Sequence, residues 1–168
     1  MDRDQLRQRQ GPLKARYRDE PAAAVVTLRA EGSLADSDVS CSVQTGRALV
    51  EAGLHSATGG DGTFACSGDM LLQALVACAG VTLRSVATNR GIEVTGIVRA
   101  EGDIDFRGTL GVDRSVPVGF RSIKLSFELE SDANADDLDA LIATTEQYCV
   151  VFQTLAHPPE LSLARKSN

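Results

Sequence analysis

Between Asp69 and Arg90 the chain carries an apolar helix with almost no polar face, and that stretch limits the possible folds more than any other. Ser67 or Asp69 as N-cap, acid in the first turn and Arg90-Gly91 as a stop signal set its ends. Leu71, Leu72, Leu75, Val76, Cys78 and Val81 leave no solvent stripe over about three turns, so the helix must be covered on nearly every side. A single small domain supplies only part of that cover. Gly80, at mid-helix where glycine costs about 1 kcal/mol relative to alanine, points to close packing against a second helix. The sequence therefore predicts a homodimer.

The same stretch is read as core and not as a membrane span. Its apolar run from Met70 to Leu83 is interrupted by Gln73, followed by Arg84, and is shorter than the roughly 20 residues that cross a bilayer. The N-terminus, MDRDQLRQRQ, has no apolar region of a secretory leader, and the expected location is cytoplasmic. A net charge of −6, 4% aromatic residues and no Trp leave neither a basic footprint nor stacking platforms. Nucleic acid is not an expected partner.

Around this helix the 168 residues read as one α+β unit. Residues 1–24 are charged, with two prolines and an alanine run, and are expected to form a loosely attached arm before a single domain at 25–168. Val25 to Ala30 and Ser40 to Thr45 read as a hairpin with a long loop. The glycine-rich HSATGGDGTFACSG lacks the Gly-Lys-Ser/Thr of a phosphate loop and is read as a connection. Ile92 to Phe106 reads as a strand. Ile123, Leu125, Phe127 and Leu129 then alternate with polar residues in an antiparallel strand wet on one face. A second helix begins near Asp136, carries Leu138, Leu141, Cys149 and Phe152 on its buried stripe, and ends before Pro158-Pro159. Leu161 to Ala164 is expected to add a short last strand.

Of the four cysteines, Cys41, Cys66, Cys78 and Cys149, each starts as a small buried hydrophobe. A reducing cytosol keeps thiols free, so disulfide stapling is not expected. There is no C-x-x-C, and the two histidines, His55 and His157, sit in turn-like surroundings with nothing local to orient them. No metal or cofactor motif is present.

Ser67-Gly68-Asp69-Met70-Leu71-Leu72-Gln73-Ala74-Leu75-Val76-Ala77-Cys78, with the Ala79-Gly80-Val81-Thr82-Leu83 that follows, resembles the first cysteine helix of the OsmC/Ohr family of osmotically inducible and organic hydroperoxide resistance proteins. Glu146-Gln147-Tyr148-Cys149-Val150-Val151-Phe152-Gln153-Thr154-Leu155 resembles its second. With the strand-rich segment between them, the resemblance covers roughly residues 25 to 165. It implies an OsmC-like fold: an antiparallel sheet with two main helices, the central cysteine helix buried at an intertwined homodimer interface.

The resemblance also implies a thiol-dependent peroxidase in oxidative stress defence. Cys78 attacks an organic hydroperoxide as thiolate, Cys149 resolves the sulfenic acid as a disulfide, and a dithiol reductant resets the pair. In peroxidase members an arginine from the loop between the first strands assists the thiolate, oriented by a carboxylate near the start of the central helix. Here the loop Glu31 to Val39 has no arginine, so Arg16, Arg18 and Arg47 stand as candidates. Asp69 lies one position from the peroxidase carboxylate and about 13 Å along the axis from Cys78, either capping the helix or orienting an arginine. Arg84 falls about 120° around the helix from Cys78 and points elsewhere. Val150 stands where many members have proline, a change that would let the second helix continue. Cys66 is an alternative partner for Cys78. The alternative function is a ligand-binding or redox-sensing module of the same fold without peroxide turnover, supported by the missing loop arginine.

Overall fold

The computed structural model describes residues 3–33, 42–43, 52–62 and 65–165. Helix α1 (Arg3–Asp19) leads into strand β1 (Val25–Ser33), followed by β2 (Ser42–Val43), β3 (Ala52–Gly53) and β4 (Ala65–Cys66). Helix α2 (Ser67–Arg90), β5 (Thr95–Asp105), the single turn α3 (Phe106–Thr109) and β6 (Phe120–Glu130) come next, and α4 (Ala135–Tyr148) and α5 (Val150–Ala156) close the order. The protein is α+β, with one antiparallel sheet ordered β2-β1-β5-β6 and a separate parallel pair β3-β4.

The hairpin expected between the first two strands is present, with Gly32 opposite Val43. β5 is the central strand. It pairs with β1 from Val25↔Asp105 to Ser33↔Ile97, and with β6 from Thr95↔Glu130 onward. Gly96 is required there: its φ is 136°, and a Cβ would collide with the Glu128 carbonyl of β6. Alternation along β5 turns Val98, Ala100 and Ile104 inward, where they meet Leu72, Val76 and Leu83 of α2, all buried. α4 and α5 pack on α2 and add Leu141 and Cys149 to the same core.

α2 ends as its sequence predicts, with Gly91 in the left-handed region at φ 67°. Its start differs. Cys66 is the N-cap, with no side-chain cap bond, and both Ser67 and Asp69 lie inside the first turn. By length and composition α2 is also long and apolar enough to cross a membrane, a test that a core helix passes equally. Here it packs between the sheet and the helices α4 and α5.

Four further expectations are corrected. The N-terminal arm is helical and docked: Tyr17 is buried and its hydroxyl donates to the Ala57 carbonyl at 2.8 Å. Leu13 packs beside it against the core, and Arg9 donates to the Gly59 carbonyl at 3.5 Å, although no amphipathic period was legible. The second helix is broken at Cys149, whose ψ of 104° is extended, although no proline follows it. Thr144 and Thr145 spend their hydroxyls on the carbonyls of Ala140 and Leu141, which weakens the last turn, and the β-branched Val150 and Val151 do not favour continuation. Residues 158–165 form no strand, and Leu161 and Leu163 are 86% and 102% exposed. Gly80, last, is buried within this chain, nine positions and so about 180° around α2 from Leu71. It faces away from the exposed Leu71.

Candidate thiol site

α2 and the break between α4 and α5 bring Cys78 and Cys149 together. Cys78 is half-buried on α2, and Cys149 is fully buried. The break turns Cys149 inward as the N-cap of α5, between the exposed Tyr148 and Val150. Both thiols are free, and the Cys149 S–H donates to the Cys78 sulfur. The N–H groups of Phe152 and Val151 face the Cys149 sulfur without closing a full cap bond.

Burial pushes the Cys149 thiol up from 9.0 to about 11. The amide of Phe152 opposes this rise, while the hydrogen bond to Cys78 adds to it by favouring the protonated form. Cys149 is therefore a proton-holding thiol at neutral pH. Two free sulfurs in this contact can close a disulfide, provided one is oxidised first.

The cation expected near the pair is not among the charges acting on Cys149 from the described residues. Arg16 pairs with Glu20 on the exposed face of α1, and Arg18 is exposed on the same helix. Arg84 donates to the Val94 carbonyl at 2.8 Å, pointing away as its helical angle predicts. Arg47 and Cys41 lie outside the described residues, as does most of the loop from Glu31 to Val39. Cys66, half-buried, pairs through its backbone with Gly53 at the start of α2, so it sits about 18 Å of helix axis from Cys78.

Asp69 belongs to a different neighbourhood. Burial raises its carboxyl above the usual range, and His55 opposes that rise. His55 was read as having nothing to orient it, yet its ring is fixed twice: Nδ1 accepts from the Ala57 amide at 3.0 Å, and the ring stacks on Phe106 at 5.0 Å. The signal existed in part, because a histidine four residues before a glycine pair can cap a tight turn. Its aromatic partner lies 51 positions away and was not legible.

Sequence reasoning also did not find a groove. An apolar cleft of about 540 Å³ lies between α2, β6 and α5, lined by Leu71, Leu75, Phe120, Ile123 and Phe152 among others. Leu75 and Phe152 of its lining each sit one helical turn from a cysteine, although neither cysteine lines it. Arg121 stands on its lining and is exposed. Along the same side of α2, Met70, Leu71 and Val81 are exposed at 36%, 37% and 41%. Cys78, seven residues after Leu71, falls within about 20° of it around the helix.

The family model of OsmC-like proteins matches residues 60–164 of this chain. Among solved structures, an OsmC-like hydroperoxide resistance protein from Jannaschia sp. CCS1 is similar at a TM-score of 0.58. The match is 16% identical and covers 86% of this chain and 95% of that one, which speaks for a shared fold. No curated protein sequence matches.

Proposed function

This chain belongs to the OsmC-like protein family, and on that premise we propose that it is a cysteine peroxidase reducing organic hydroperoxides in the cytoplasm. What carries the reading is one contact: Cys149, 71 positions from Cys78 in sequence, donates its S–H to the Cys78 sulfur, and an apolar groove is lined by residues one helical turn from each cysteine.

Cys78 as thiolate attacks the terminal peroxide oxygen, forming an S–O bond and breaking O–O. The leaving alkoxide takes a proton and departs as the alcohol. Cys149 then attacks the sulfenic acid sulfur, closing the disulfide and releasing water. A dithiol reduces that bond and restores both thiols. Cys149 must give up its proton as it attacks, and the S–H donor role suits it to deliver that proton locally. The apolar lining fits a hydroperoxide with a hydrocarbon body. Asp69, at the far end of α2 within the electrostatic influence of His55, supports the helix start in this scheme and does not touch the reacting sulfur.

We further propose that the working form is a homodimer. The exposed Met70, Leu71 and Val81 form one apolar side of a helix whose other sides are covered by its own chain. A second copy laid on that side would also cover Cys78.

A second reading, a ligand-binding or redox-sensing module without turnover, is favoured by the burial that keeps the Cys149 thiol protonated. One experiment decides between the two: the reduced protein is mixed with one equivalent of cumene hydroperoxide, its disulfides are mapped by mass spectrometry, and peroxide consumption is followed with a dithiol. A Cys78–Cys149 bond with turnover is expected. Unchanged thiols and intact peroxide would overturn the peroxidase reading and leave the binding module.

A further inference from the structure

The N-terminal helix α1 is seated on a tight turn before α2. Ser56–Thr58 form a single 3-10 turn, and the His55 carbonyl ahead of it accepts three bonds: from the Thr58 amide at 2.8 Å, the Thr58 hydroxyl at 2.9 Å and the Gly60 amide at 3.1 Å. Gly59 is left-handed at φ 92°, and a Cβ on Gly60 would collide with the Leu54 carbonyl. A turn so tightly determined holds its shape or loses it as a unit. Its outer carbonyls serve α1: that of Ala57 accepts from the Tyr17 hydroxyl, and that of Gly59 from Arg9. α1 packs on this turn and on α3.

The side chain that closes the turn is titratable. His55 Nδ1 accepts from the amide of Ala57, the residue whose carbonyl holds Tyr17. Neutral imidazole with its proton on Nε2 can accept there; imidazolium carries a hydrogen on both nitrogens and would set a donor against a donor. The groups around the ring do not restore the bond. Asp69 acts on the ring from the start of α2 and attracts its charged form without offering Ala57 an acceptor. From α3, Phe106 stacks on the ring, and the neighbouring Arg107 and Asp105 are paired with each other. From α1 come Tyr17 and Arg9, both bonded to the carbonyls of the turn. Protonation removes the cap from the docked turn and leaves a released arm unaffected, so docking weakens as pH falls through the range where histidine charges.

We infer that His55 is a pH-sensitive latch for the N-terminal helix: neutral, it caps the turn that seats α1, and protonated, it opens the turn and frees the arm. Release turns Leu13 and Tyr17, which pack on the core when docked, out to solvent. The latch is independent of the thiol chemistry and of the homodimer proposed above.

Hydrogen exchange of the full-length protein, read by mass spectrometry at pH 7.5, 6.5 and 5.5, tests this. Each rate is compared with the free-peptide rate at the same pH, which removes the intrinsic pH dependence and leaves the opening of the arm. Protection of amides 13–19 should fall about fivefold, the factor that loss of a helix cap implies, while amides 70–85 of α2 keep theirs. His55→Asn retains an acceptor for the Ala57 amide but cannot charge, so its protection should stay level across the range. Asp69→Asn removes the attraction for imidazolium and should shift the fall to lower pH. Protection of α1 that does not change with pH overturns the latch. So does a loss in α2 that runs in step with α1, because the opening is then global. A His55→Asn protein that loses protection as the unsubstituted one does overturns the assignment to His55; should that variant not fold, the two readouts on the unsubstituted protein still decide. None of these results touches the disulfide and turnover assay, so the peroxidase reading stands or falls separately.

Discussion

Reduced Cys149 should be the slowest of the described thiols to react at neutral pH, and its reactivity should climb without a plateau up to about pH 10. Its titration near 11, against an ordinary 9.0, sets the size of the effect. At pH 7.5 a thiol titrating near 9 is about one part in 30 thiolate, and one titrating near 11 about one part in 3000. The reactive form is therefore roughly 100-fold scarcer. Site-resolved iodoacetamide labelling between pH 7 and 10.5, on protein shown by circular dichroism to stay folded, reads this as a slope. The Cys149 rate should rise about tenfold per pH unit across the range, whereas an ordinary thiol bends over near 9. Burial slows labelling as well, but by the same factor at every pH, so the slope separates titration from access. Labelling through a brief local opening gives the same profile, because opening becomes easier as the pH passes the open-state value. Cys78→Ala removes the acceptor of the Cys149 S–H and should move the curve to lower pH. A plateau at or below pH 9 in the unsubstituted protein would refute the argument that burial and the S–H contact hold this proton.

Other outcomes follow from the fold. The Arg107 guanidinium grips the buried Asp105 carboxylate through Nε and Nη2 and holds its titration below the usual range. A depressed carboxylate stabilises the fold above its unfolded value of roughly 4 and loses that contribution as pH falls through the folded value. Asp105→Asn should therefore lower the urea midpoint clearly at pH 6 and little at pH 3; equal losses at both would show that the charge is not what matters. Leu83→Ala, at a fully buried position on α2, should cost about 2–5 kcal/mol in urea unfolding. Tyr17→Phe removes the donor to the Ala57 carbonyl and should cost about 0.5–1.5 kcal/mol, with faster proteolysis before residue 20 if α1 is held by that anchor. Gly96→Ala should disrupt the β5–β6 pairing and lower soluble yield. Gly111→Ala, also at positive φ but with open space around it, should cost only the backbone strain of about 1–2 kcal/mol, measured by thermal unfolding.

The amino-acid sequence by itself determined the central helix, through its apolar run and its glycine stop, and the elements whose burial is periodic: the long strand after it and the alternation from Ile123 to Leu129. Local period reports burial, because each such element meets one core face along its whole length. It also marked Cys78 and Cys149 through the residues around them. Tertiary structure alone decided the rest. The docking of α1 rests on contacts distant in sequence, Tyr17 meeting a carbonyl 40 positions away and Leu13 packing on the core. Where the second helix breaks goes with a sulfur drawn inward toward α2 and with threonine hydroxyls bonded back to the Ala140 and Leu141 carbonyls in the turn before the break. His55 acquires an orientation only because the fold stacks it on Phe106. The side of α2 that stays uncovered was likewise not readable from a helix apolar all round, since a uniform pattern carries no phase. Only the placement of the sheet on one side and of α4 and α5 on another leaves Met70, Leu71 and Val81 outward, beside Cys78.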